Sequence, residues 1–104
     1  MPTCGHKVFI VNRSTHDFSA AERFGELVFL SEGLLRKRNV AFMARKFDAI
    51  LVDSEPEDYI LPTSLTVMGI VAALMFAKRH GRVNLLLFEE GKYKARTLML
   101  EQGD

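Results

Sequence analysis

The residues of this chain best suited to chemistry form one polar run, Asn12-Arg13-Ser14-Thr15-His16-Asp17, directly behind the apolar run Lys7-Val8-Phe9-Ile10-Val11. Arg13 offers a planar guanidinium that can grip a phosphate or carboxylate with two parallel N–H bonds. Asn12, Ser14 and Thr15 add amide and hydroxyl groups around it. His16 stands beside Asp17, and an imidazole with an ordinary pKa of ~6.5 can move protons near neutrality. A second hydroxyl-bearing stretch, Leu61-Pro62-Thr63-Ser64-Leu65-Thr66, opens a long apolar segment. If that segment is a helix, its first N–H groups favour an anion. The expected ligand site is therefore Asn12, Arg13, Ser14, Thr15 and His16 with Thr63, Ser64 and Thr66. The ligand would be small, anionic and nucleotide-like. No residue set amounts to a catalytic site; His16 and Asp17 are the pair an enzyme would use. Polar residues after a strand also serve as turns and caps. Neither stretch carries the glycine pattern of a dinucleotide fingerprint or a Walker loop.

Other clusters have plainer explanations. Asp53, Glu55, Glu57 and Asp58 surround Pro56 with a spacing that matches no calcium loop, so a solvated turn and no metal is the expectation. Cys4 is the sole cysteine, which excludes an intramolecular disulfide, and no Cys/His cluster has zinc spacing. Arg36-Lys37-Arg38 and Arg45-Lys46 read as a solvated basic face, with Phe42, Met43 and Phe47 as core positions rather than stacking platforms. A net charge of +1, from 14 basic and 13 acidic residues, gives nucleic-acid binding no support. No cofactor is implied.

The elements that must position these residues follow from periodicity. A chain of 104 residues, 48% hydrophobic and 26% charged, fits a single domain over 1–104. Lys7–Val11 predicts a buried strand. Ser19-Ala20-Ala21-Glu22 has capping-box spacing and predicts a short helix to Phe24, with Gly25 as its stop. Leu27–Leu30 predicts a second strand. Val40 to Val52 has apolar residues at helical spacing with Arg45, Lys46 and Asp48 between them. Tyr59-Ile60-Leu61 predicts a third strand and Leu65 to Arg79 the longest helix, stopped by Gly81. Val83–Phe88 and Tyr93–Leu100, joined through Glu89-Glu90-Gly91-Lys92, predict an antiparallel hairpin. The order predicts an α/β fold: a small Rossmann-like sandwich, mainly parallel, with an antiparallel C-terminal edge hairpin.

The long helix carries Leu65, Val67, Met68, Ile70, Val71, Leu74, Met75 and Phe76 around most of its circumference. Either a neighbouring helix and the sheet shelter all of it, or one face seals a homo-oligomer; the oligomer is the expectation adopted here. The apolar run Val67–Ala77 is 11 residues long, against the ~20 a membrane span needs. With no signal-peptide pattern at the start, a cytoplasmic location is expected, with no membrane partner.

Two resemblances add to this. Val8–Phe18 followed by Ala21-Glu22-Arg23-Phe24 resembles the first strand and loop of TIR domains; no residue here is matched to their catalytic glutamate, so NAD cleavage is not carried over. His16-Asp17-Phe18-Ser19, Ala21–Gly25 and His80–Leu87 are similar to small proteins of tailed bacteriophages. That resemblance implies a setting, an accessory protein acting on host metabolism or defence in the host cytoplasm, and carries no activity with it. The ranking is a small anionic-ligand binder first. An interaction or structural module using helix 65–79 or the C-terminal hairpin comes second. A nucleotide-processing enzyme using His16 and Asp17 comes third.

Overall fold

The computed structural model describes residues 6–13, 17–31, 40–62 and 66–100, the side chain of Thr66 excepted. Its elements are β1 (Lys7–Ile10), a 3-10 helix (Ser19–Phe24), β2 (Glu26–Phe29), α1 (Val40–Leu51), β3 (Tyr59–Leu61), α2 (Thr66–His80), β4 (Arg82–Glu89) and β5 (Lys92–Met99). One five-stranded sheet runs β2-β1-β3-β4-β5. All neighbours are parallel except β4 and β5. The expected α/β architecture with an antiparallel edge hairpin is what the chain adopts.

Direction along the sheet decides the layering. The step from β1 to β2 goes one way and the steps β2 to β3 and β3 to β4 go the other. Keeping each crossover right-handed therefore puts the first connection on one face and α1 and α2 on the opposite one. The core divides accordingly. Phe9, Val11, Leu30 and Ile60 join Met43, Phe47 and Leu51 of α1 and Met68, Val71, Ala72 and Phe76 of α2 on the helical face. Val8, Ile10, Leu61 and Leu86 join Phe18 and Ala21 on the other. Strand alternation sends Val8 and Ile10 one way and Phe9 and Val11 the other, so β1 is buried on both faces.

The first crossover differs in detail from its expected form. The segment is a 3-10 helix capped at Phe18 with no side-chain cap bond, so the Ser19/Glu22 capping box does not form. Asp17 does that work instead: its Oδ1 accepts from the Ser19 N–H at 2.9 Å. The segment between β1 and β2 forms six residues of 3-10 helix before Gly25. The second strand starts and ends one residue earlier than the alternation predicts, at Glu26 and Phe29.

Gly25 closes this crossover by close approach. A Cβ there would lie 2.6 Å from the His6 carbonyl oxygen, while the Glu26 N–H bonds that same oxygen at 3.0 Å. Both obstacles are backbone and neither can rotate away. Gly25→Ala should destabilise the fold by about 1–3 kcal/mol, read as a lower urea midpoint with an unchanged slope; an unshifted midpoint would show that the backbone gives way without cost. At the hairpin, Glu90 and Gly91 have φ of 52° and 85°, both left-handed as a type I′ turn requires.

At the rim where the parallel strands begin, two buried polar residues lock β1, β3 and β4 together. Asp58 is fully buried; Oδ1 accepts from the Lys7 N–H and Oδ2 from the Glu55 N–H, each at 2.8 Å. Asn84 Nδ2 donates to the Pro56 and Asp58 carbonyls, and its Oδ1 accepts from Arg82 and Thr97. The acidic stretch around Pro56 is thus a turn, but not a wholly solvated one as expected: Asp58 is buried and ties it down.

Candidate functional site

The strand order reverses beside β1, and in open α/β sheets that reversal leaves a crevice at the carboxyl ends of the strands. Ile10 stands opposite Leu61 in register, and the Val11 N–H bonds the Leu61 carbonyl at 3.2 Å. The two predicted ligand segments therefore leave the sheet from adjacent strand ends. Ser14, Thr15, His16, Thr63 and Ser64 lie outside the described residues, as does the side chain of Thr66, so what can be placed is Asn12, Arg13 and Asp17.

Asn12 is turned inward. Its Oδ1 and the Val11 carbonyl lie 2.7 Å and 2.8 Å from Ser31 Oγ and share its one proton, while the Arg13 N–H bonds the Ser31 carbonyl at 2.8 Å. This latch fixes the backbone between β1 and the end of β2 and so aims the next side chain. The Arg13 guanidinium lies over the Phe29 ring, 3.9 Å from its centroid. Guanidinium on an aromatic face is an attractive, orientation-defining contact.

Beside it opens a cleft of about 280 Å³ lined by Arg13, Asp17, Phe18, Ser19, Glu22, Leu27 and Phe29. It lies on the face of the sheet covered by the 3-10 helix, with Leu27 and Phe29 of β2 as its floor. Phe18 packs against Phe29 with centroids 6.1 Å apart. The chemistry is mixed: one guanidinium, two carboxylates and one hydroxyl on an aromatic base. The Ser19 N–H and then the Ser19 hydroxyl bond the Asp17 carboxylate and hold its pKa below the usual carboxylate value, against a small opposing effect of burial. Asp17 is therefore ionised near neutrality. The stabilisation it gives the first crossover is present above the ordinary carboxylate pKa and fades as pH falls through the lowered value. Burial, followed by the charge of Asp17, raises the Tyr93 pKa above 10.0, so this phenol stays protonated at neutral pH.

Phe18, Ser19, Glu22, Leu27 and Phe29 are cleft residues that the sequence did not mark as a site: Ser19 and Glu22 read as a cap, Leu27 and Phe29 as part of a strand. The signal available was the alternation of β2, which puts Leu27 and Phe29 on one face. What the sequence lacked was the side of the sheet on which the first crossover lies.

A Ser–His contact elsewhere invites a catalytic reading and does not support one. Ser54 Oγ lies 2.7 Å from His80 Nε2, at the opposite rim. The Ser54 hydroxyl donates to the Leu51 carbonyl at 2.6 Å, so its proton is committed to the end of α1 and His80 serves as donor to Ser54. The C-termini of α1 and α2 meet there, and helix C-termini present carbonyl oxygens, the reverse of an oxyanion hole. The pair clamps two helices. Among the described residues no group of three His, Cys, Asp or Glu side chains is placed to hold a metal. No helix among them is long and apolar enough to cross a membrane.

Neither a curated protein nor a solved structure matches the chain. A family does match, over residues 6–100, from the start of β1 to the end of β5, in keeping with the phage resemblance of His16–Gly25 and His80–Leu87. By that match the chain belongs to the Phage Pam3 gp32-like protein family.

Proposed function

We propose that this protein binds a small nucleotide-like anion in the cleft beside Arg13, and serves the phage as an accessory protein in the host cytoplasm, acting on host metabolism or defence. The observation that supports the reading is the Arg13 guanidinium over Phe29, on a backbone fixed by the Ser31 latch, at the carboxyl end of the parallel strands. The lining narrows the ligand further. Asp17 and Glu22 would repel a chain of phosphates, so the cleft suits one anionic group at Arg13 and hydroxyl or amino donors toward the carboxylates. A ribose diol is such a donor set. The family match does not extend to the TIR resemblance, which carries no part of this reading. The enzymatic alternative rests on His16, outside the described residues, and on Asp17, whose lowered pKa makes it a poor proton donor at neutral pH.

A panel of nucleoside mono-, di- and triphosphates tested by thermal shift checks the proposal. A ligand at 100 times its Kd stabilises by about 2.7 kcal/mol. A monophosphate should raise Tm more than a triphosphate does, and Arg13→Ala should weaken that ligand roughly tenfold or more while leaving the unliganded Tm close to the parent's. If no nucleotide at millimolar concentration moves Tm, or if Arg13→Ala leaves the shift intact, the proposal fails.

A further inference from the structure

On the other face of the sheet, α2 has two opposed flanks. Arg79 and His80 look toward α1: Arg79 Nη2 lies 3.1 Å from Asp48 Oδ1, and His80 meets Ser54 just beyond the end of α1. Met68 and Val71 are buried and Met75 partly so, in the cluster shared with Val83 and Leu85 of β4. Val67, Ile70 and Leu74, spaced three and four apart, fall roughly half a turn from the α1-facing flank at ~100° per residue. They are 46%, 55% and 60% exposed. Since α2 lies across β3 and β4 with α1 on one side, this stripe overlooks β5.

Among the described elements, β5 packs on β4 and on the 3-10 helix of the opposite face. Its register sets Leu98 beside Val83, Arg96 beside Leu85 and Lys94 beside Leu87, so Leu98, Arg96 and Lys94 stand on the helical side. Leu98 is 58% exposed. The result is a corner with an apolar wall from α2 and a floor of Leu98, Arg96 and Lys94. It is the place where an α/β sheet of this width would carry a further helix, layered about 10 Å above the strands.

We propose that this corner is the docking groove for an amphipathic helix with an acidic edge, supplied by a partner protein. Its apolar stripe would cover Val67, Ile70, Leu74 and Leu98, and its acids would meet the cations that rim the groove. Lys78, Lys92, Lys94 and Arg96 outnumber Glu89 and Glu90 there. Arg96 bonds Glu89 at 2.9 Å and Lys94 bonds Glu90 at 3.4 Å, and with these two pairs formed Lys78 and Lys92 leave the rim a net positive charge for an acidic partner. A second copy of this chain is a poor occupant. The two acids at the rim, Glu89 and Glu90, are paired with Arg96 and Lys94, and α2 carries no acid, so a symmetric pair would set the net positive rim of one copy against that of the other. The groove is independent of the cleft at Arg13, which lies across the sheet.

The probe is a fluorescein-labelled helical peptide of about four turns with a leucine stripe and glutamate flanks, beside a counterpart with lysine for every glutamate. By anisotropy the acidic peptide should bind about tenfold or more tighter than the basic one. Arg96→Glu with Lys94→Glu should erase or invert that preference, and Ile70→Glu with Leu74→Glu should abolish binding of both. Ile70, Leu74 and Arg96 are exposed and Lys94 half-buried, so an unchanged far-UV CD spectrum and Tm show that loss of binding is not loss of fold. Equal affinity for the two peptides, or no binding at half-millimolar protein, overturns the proposal. So does a dimer in light scattering that Leu74→Glu splits, or Leu74-dependent flotation with phosphatidylglycerol vesicles, since a second copy or a lipid surface would then cover the stripe.

Discussion

Asp58→Ala is expected to destabilise the protein by on the order of 2–5 kcal/mol, although it removes only one small side chain. The carboxylate is fully buried, and each oxygen is the acceptor for a different backbone N–H, Lys7 at the start of β1 and Glu55 in the turn before β3. Truncation leaves both donors in a space closed to water, each costing about 1–3 kcal/mol. The loss spreads, because Asn84 donates to the Asp58 and Pro56 carbonyls and so depends on the same turn for its position. Asp58→Asn keeps one acceptor and turns an amide N–H toward the other donor, so it should fall between the parent and the alanine variant. For a domain of this size a loss of 1 kcal/mol lowers Tm by about 4–8 °C. Urea denaturation gives the direct reading, and an alanine variant within about 0.5 kcal/mol of the parent would show that water reaches the two N–H groups.

Phe76→Ala should cost about 3–5 kcal/mol, and its contrast with Leu74→Ala is the sharper result. Phe76 is fully buried in the cluster that joins α1, α2 and the sheet, with its ring 4.6 Å from that of His80. Removing it opens a cavity that fixed strands beneath and α1 alongside cannot close. Leu74, two positions earlier on the same helix, is 60% exposed, and its truncation should stay within about 0.5 kcal/mol. Comparable losses for the two would place Leu74 inside an interface in the protein as purified. That is the outcome a homo-oligomer requires and the helix-docking proposal excludes.

The fold was legible because its signals are local. The run Lys7–Ile10 is apolar enough for a strand covered on both sides, and Glu90-Gly91 supplies the two left-handed residues of a tight hairpin. Met43 and Phe47 lie four apart on the buried face of α1, although Phe42, expected in the core beside them, is 46% exposed. Alternating strands and helices imply parallel pairing because a crossover needs the length of a helix. The capping box misled because Ser19 and Glu22 have the right spacing whatever acid precedes them, and Asp17 reaches the Ser19 N–H with a shorter loop.

Of the site, sequence alone determined that Arg13 and Asp17 follow the first strand and that the two polar segments leave the sheet at the same end, since both follow parallel strands. Tertiary structure alone decided that Asn12 turns inward to Ser31, that Arg13 rests on Phe29 from another strand, and that Ser19, Glu22 and Leu27 complete the cleft. The physical reason is range. Turn chemistry, periodicity and strand alternation act between residues a few positions apart and are written in the order of residue types. Which face a crossover takes, and which flank of an apolar helix is left uncovered, depend on strand order across the sheet, and no short stretch of the chain encodes that.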